Sequence, residues 1–235
     1  MVASYAAELR RLYSEDRLAR YYRSDGDDLS MIVTYLWNIE LCEALYPSLC
    51  ALELTLRNSI DHVLSTHYRR PNWYDLPNVL QRDEIRARDQ TKSKIDSTRK
   101  PVIPGRVVAG LNFGFWTAIL SSLYGNSPKG PQLWTSPVSP LLAQAFPGAP
   151  ATHQQFRGKL HLRFDELRRF RNRVFHYEAV FDDSLLLQRH ARIIECIGWI
   201  SPSIQTTTLG LDRFIQVHDS GQRRIRRKLK QMGIQ

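Results

Sequence analysis

Apolar residues recur three and four positions apart along nearly the whole chain, and no stretch alternates apolar and polar residues over the length of a strand. The pattern predicts an all-α fold. A first helix is predicted from about Ser4 to Tyr22, ending before Ser24, Asp25 and Gly26. Asp27 and Asp28 offer caps for a helix from Leu29 to Leu45. Pro47 lacks the amide hydrogen that a helix interior needs, so it is expected to break or kink the chain before a helix from about Ser48 to Thr66. Residues 68–78 read as a connector carrying Trp73. Arg82 to Ser97 is polar enough to be an exposed helix or a mobile arm.

Pro104 suits the first position of a helix carrying Val107, Leu111, Phe115, Ile119 and Leu123 up to Gly125. Residues 126–150 are rich in Pro, Gly and Ser, with a short helical insert at about Leu141 to Phe146. A long helix begins near Thr152 and reaches at least Arg173. Two more follow at about Asp183 to Trp199 and Ser203 to His218. Residues 1–218 therefore form a single helical domain, and 219–235 form a basic tail in which Gly221 to Lys230 carries six basic residues and no acidic one.

Composition changes the picture in one direction. Among 235 residues, 33 are Lys or Arg against 23 Asp or Glu, a formal net charge of +10. Such a surface gathers anions, so nucleic acid or an anionic membrane is the expected partner. Nucleic acid is favoured, because no apolar run approaches the roughly 20 residues of a spanning helix. Cys42, Cys50 and Cys196 are odd in number, form no C-x-x-C pair and sit among aliphatic residues. They read as buried thiols of a cytoplasmic protein, with no metal site and no cofactor.

The candidate chemistry lies at Arg171-Asn172-Arg173-Val174-Phe175-His176. Leu160, Phe164, Leu167 and Val174 make one apolar stripe, and Arg171 falls inside it. A buried guanidinium costs several kcal/mol unless a carboxylate or phosphate pairs with it. Asn172 and His176, four apart, share a helix face and are expected to hydrogen-bond. Arg171 and His176 lie about 140° apart on the wheel. They converge only if the helix ends or bends here, or if a partner subunit's copy completes the site. Arg163, Arg168, Arg169 and Arg173 on the same helix are the candidate RNA-guiding cations. Phe113, Phe115 and Trp116 read as core rather than a base-stacking platform, and Gly110 and Gly114 as close helix contacts.

Arg-Asn-x-x-x-His at a helix end resembles the R-x-x-x-x-H signature of the HEPN superfamily, many of whose members are metal-independent ribonucleases. The fuller string LRRFRNRVFHYEAVF is similar to its Abi-like (abortive infection) branch. So, in the family's order, are LCALELTLRNSI, RVVAGLNFGFW, LWTSPVSPLLAQAFPG and HARIIECIGWI. The resemblance spans about Met31 to Trp199. It implies a HEPN-type helical bundle with additional flanking helices, and a toxin-like endoribonuclease of bacterial antiviral defence. Arg171, Asn172 and His176 are the catalytic set so implied, supported by Glu53, Arg57, Asn58, Tyr177 and Glu178, while Asn38, on the apolar helix before Pro47, reads from the sequence itself as a buried polar partner of that network. The expected products are a 2′,3′-cyclic phosphate and a 5′-hydroxyl. Expected partners are RNA, a second copy in a homodimer, and an antitoxin or RNA regulator.

Two departures matter. Related toxins carry R-x-x-x-x-H-x-Y, whereas Tyr177 follows His176 directly. The usual Abi-like His-His-Glu is here His176-Tyr177-Glu178, leaving one imidazole per motif and strengthening the expectation of a dimer. Arg57-Asn58-Ser59-Ile60-Asp61-His62 repeats the spacing. It reads as a Glu53, Arg57, Asp61 salt ladder, as a brace for Arg171 or the substrate, or as half of a composite site within one chain. A silent RNA-binding module on the same fold and a DNA-binding regulator using the tail are the competing functions.

Overall fold

The first predicted helix is interrupted at Ser14, whose backbone takes φ 70°, and it divides into α1 (Val2–Tyr13) and α2 (Glu15–Ala19). Proline, by contrast, does not stop its helix. A single α3 (Asp28–His67) of 40 residues runs through Pro47. The missing amide costs up to about 3 kcal/mol. It is offset by apolar burial on both sides, where Leu41, Leu45, Leu49, Leu52, Leu56 and Ile60 have no exposed surface. The computed structural model describes residues 2–22, 27–125, 133–134, 139–154 and 157–234. The turn at Ser24 to Gly26 and part of the Pro-, Gly- and Ser-rich stretch lie outside them. Among the described residues every regular element is helical, so the fold class is all-α.

The remaining helices are α4 (Arg82–Ser97), α5 (Pro104–Gly110), α6 (Phe113–Ala118), α7 (Pro140–Ala145), α8 (Ala151–Gln154), α9 (Arg157–Phe175), α10 (Leu186–Ile200), α11 (Pro202–Leu211) and α12 (Phe214–Gln231). The helix expected from Pro104 to Gly125 is split because Asn112 caps α6, its side chain accepting the Phe115 amide at 2.9 Å. The polar segment 82–97 is a regular helix with no buried residue.

The chain divides into two compact units whose boundaries fall inside α3, α9, α10 and the last turn of α11. Unit 1 comprises Met1–Ser48, Phe170–Ala191 and Leu211–Gln235; unit 2 comprises Leu49–Arg169 and Arg192–Gly210. This division differs from a 1–218 domain followed by a tail. The reason lies in α12, where Ile225 and Leu229 are four apart and enter the core of unit 1 with Leu9, Leu18, Tyr21, Met31 and Ile32. The basic segment is thereby part of a packed unit.

In unit 2, Trp73, Trp116, Phe146, Phe164 and Trp199 are buried, with Phe146 and Phe164 centroids 5.5 Å apart. Phe113 and Phe115 are core, as their spacing predicts. A Cβ at Gly110 would come within 2.6 Å of the Thr91 methyl group on α4, the close helix approach expected there. Cys196 is buried, whereas Cys42 and Cys50 are half-buried. Burial pushes the Cys42 thiol up to about 11, which keeps it protonated and unreactive near neutral pH.

Candidate active site

The apolar stripe of α9 is laid down as the sequence predicts, with Leu160, Phe164, Leu167, Phe170 and Val174 buried. The helix then stops abruptly. The His176 amide still donates to Asn172 O at 2.8 Å, but Tyr177 takes φ 60°. Its amide returns to Val174 O at 3.3 Å, and the Glu178 amide to Arg173 O at 2.9 Å. These two bonds form a Schellman closure. Glycine usually occupies its left-handed position, and tyrosine there costs about 1–2 kcal/mol. The helix therefore ends within the motif, leaving the exposed His176 as its last, half-helical residue.

The segment beyond His176 is fastened from α3. Asn38 is fully buried, and its Oδ1 accepts the amides of Val180 at 2.7 Å and Phe181 at 3.2 Å. Its Nδ2 donates to the Tyr21 hydroxyl at 3.2 Å and to Glu178 O at 3.5 Å. One amide group thus ties α3, Tyr21 and residues 178–181 of unit 1 together.

A second brace comes from Arg173, which donates to Asp183 Oδ2 at 2.8 Å and Ala179 O at 2.7 Å. Arg189 reaches the same carboxylate oxygen at 3.0 Å. Burial works most strongly against ionising Asp183. The Leu185 amide, Arg189 and Arg173 outweigh it and hold the carboxyl below its ordinary value. A depressed folded-state pKa contributes stability above the unfolded pKa of about 3.9, lost as pH falls through the folded value. Asp183→Asn should therefore lower Tm at neutral pH, with the gap from wild type closing as the melt is repeated in increasingly acidic buffer. An unchanged gap in acid would remove the ion-pair explanation.

His176 opens onto a pocket of about 530 Å³ in unit 1 that Tyr13, Ser14, Arg17, Arg20 and Tyr177 also line. The Arg17 guanidinium lies 5.7 Å from the Tyr177 ring centre and donates to Tyr177 O at 3.1 Å. Arg20 faces Asp182 at 3.6 Å. Two cations absent from the sequence-derived site thus line the same pocket as His176, together with the carboxylates of Asp16 and Glu178. They are brought there by the break at Ser14, which a continuous helix from Ser4 to Tyr22 conceals.

Arg171 is half-buried rather than enclosed in the apolar stripe. Its guanidinium carbon lies 4.0 Å from the centre of the Phe175 ring, and Nη1 donates to Asn172 Oδ1 at 3.4 Å. The Asn172 side chain thus accepts from Arg171, and the bond it shares with His176 is the ordinary helical one between backbone groups. Phe175 in turn stacks on Tyr46, with centroids 4.8 Å apart and planes 21° apart.

The second motif belongs to unit 2. Arg57 Nε donates to Asn58 Oδ1 at 3.2 Å, repeating the Arg-Asn contact of the first motif, and Nη1 donates to Ala109 O at 3.4 Å. His62 is exposed and Glu53 half-buried. Asp61, which the Arg57 charge also reaches, accepts from the Trp73 indole at 2.8 Å and from Ser65 at 3.4 Å. Burial raises its pKa against those bonds.

Three further cations of α9 are engaged by carboxylates. Arg163 pairs with Glu195 at 3.2 Å, while Arg168 and Arg169 share Asp165 at 2.7 and 2.8 Å. On α12, Arg224 and Lys228 share Glu40, and Arg223, Arg224 and Arg227 surround an opening of about 380 Å³ beside Ser220. Among the described residues no cluster of His, Cys, Asp and Glu has the make-up of a metal site, and no helix is long and apolar enough to cross a membrane.

Comparison of the chain with protein-family models, with curated proteins and with solved structures finds no match.

Proposed function

We propose that this chain is a HEPN-type, metal-independent endoribonuclease of the Abi-like kind, a cytoplasmic toxin-like effector of antiviral defence. The observation that carries the reading is His176: an exposed imidazole on a rigidly closed helix end, opening onto a pocket beside Arg17 and Arg20. RNA cleavage by its own 2′-hydroxyl needs a base to take that proton, an acid to protonate the departing 5′-oxygen, and fixed positive charge on the phosphorane. His176 takes one proton role. Arg17 and Arg20 supply charge to the phosphoryl oxygens. Arg171, its guanidinium carbon over the Phe175 ring, brings a fork of the shape that suits bidentate contact with a phosphate. Asn172 orients Arg171 rather than the imidazole. The 2′-oxygen bonds to phosphorus as the 5′-oxygen departs, giving a 2′,3′-cyclic phosphate and a 5′-hydroxyl. A single imidazole covers one of the two proton transfers, so a second copy of the chain provides the other, and an antitoxin or RNA regulator restrains the dimer.

One observation favours a second reading, a silent RNA-binding module. The basic face of α12 is built onto the core of unit 1 independently of His176, and it offers Arg223 and Arg227 to a phosphate backbone. Incubating a labelled structured RNA with the protein in EDTA separates the two. The nuclease reading requires cutting that leaves cyclic phosphate ends and slows by one to two orders of magnitude in Arg171→Ala, about the loss of one strong charged contact. Tight binding without cutting at any RNA concentration would leave the silent module in possession.

A further inference from the structure

The aromatic stack at the motif has no part in the proton transfers, yet it carries Arg171 and includes the residue before His176. Tyr46 is 54% exposed although it is a large aromatic residue, and its ring is nearly parallel to that of Phe175. Phe175 carries the Arg171 guanidinium at 4.0 Å and directly precedes His176. Guanidinium, phenyl and phenol thus make a short row of contacts, centred on the residue that precedes His176.

From this arrangement, and resting on the ribonuclease reading for its place in the reaction, we propose that Tyr46 is the platform for an unpaired nucleobase of the RNA substrate. The chemistry selects the occupant. Stacking on a phenol ring accepts any base, because every base has a π face. Arg171 in the same row and a net charge of +10 favour a ligand that is at once planar and anionic. A nucleotide meets both demands. A base inside a duplex has both faces covered by its neighbours, so the platform demands a single-stranded or extruded nucleotide. The substrate class is therefore RNA that is unpaired at the cleaved step: a loop, a bulge or a free strand.

The test uses a single-stranded oligonucleotide with one 2-aminopurine and 2′-O-methyl groups throughout, which is unable to undergo transesterification. It is titrated with wild type, Tyr46→Phe and Tyr46→Leu. The leucine variant preserves apolar cover over Phe175 without an aromatic face, and the residue is exposed enough for the fold to tolerate both changes. Stacking quenches 2-aminopurine, so wild type and Tyr46→Phe should bind with quenching. Tyr46→Leu should bind about tenfold more weakly with the quenching lost, a typical result of removing one stacking aromatic. The same strand in a duplex should bind without quenching. Equal binding and quenching by Tyr46→Leu would overturn the proposal. So would loss of binding accompanied by a change from dimer to monomer in light scattering, which would make Tyr46 a contact between copies. Tyr46-dependent quenching by a protein that never cuts natural RNA would uphold the platform and dismiss the nuclease reading.

Discussion

His176→Ala is expected to lower RNA cleavage by about 10²–10⁴-fold, the usual contribution of a positioned acid or base, while leaving the protein folded and able to bind RNA. The two halves of this outcome have separate causes. The imidazole is exposed, and the bonds closing the helix end belong to the backbone amides of His176, Tyr177 and Glu178. Alanine keeps every one of them, so the stability change should stay within about 0.5 kcal/mol. RNA affinity should survive as well, since the cations of the pocket and of α12 are untouched. Rates, melting curves and filter binding on the same preparations make the comparison. A variant that cuts at the wild-type rate would remove His176 from the site. One that fails to fold would show that the helix end leans on the ring.

The second large effect is expected at a residue away from the chemistry. Asn38→Leu should destabilise unit 1 by about 3 kcal/mol, because it strands the amides of Val180 and Phe181 in the interior, each at about 1–3 kcal/mol. It also removes the donor to Tyr21 and Glu178 O. Leucine has the same branched skeleton and is larger, so the loss does not report a cavity. Asn38→Asp should fall between, since a carboxylate still accepts both amides but donates to nothing. Urea unfolding measures all three proteins. Cleavage by Asn38→Leu should fall as well at temperatures where it remains folded, because residues 178–181 no longer hold the segment after His176. A stability loss below 1 kcal/mol would show that the amide network is not what fixes that segment.

The helical class was readable from spacing alone, and so was the buried stripe of α9, because apolar periodicity reports directly on burial. Asn38 was identifiable as a buried polar partner because a lone amide within an apolar run must find hydrogen bonds. Other features arise from forces that local pattern does not carry. Pro47 looked like a boundary, yet the apolar surface on either side of it outweighs one missing amide bond. Arg171 projected into the stripe, but a helical wheel does not register that the helix ends four residues later, where the side chain lies across Phe175. Arg17 and Arg20 lie beyond a break whose signal is short: Ser14 followed by Glu15 and Asp16 caps a new helix, while the apolar spacing on either side reads as continuous. The charges of 219–235 mark it as a tail outside the domain. Ile225 and Leu229, only two residues among many cations, decide otherwise.

The anchoring of α12 turns the most trypsin-attractive stretch of the chain into a gauge. Six basic residues between Gly221 and Lys230 would be cut at once in an extended strand. A protease needs roughly that extended form, and the helix supplies it only when Ile225 and Leu229 leave the core of unit 1. The rate at which trypsin removes this end therefore reads the opening equilibrium of the unit that carries His176. Any ligand that settles into that unit should announce itself as protection of the tail, whether or not it is ever turned over.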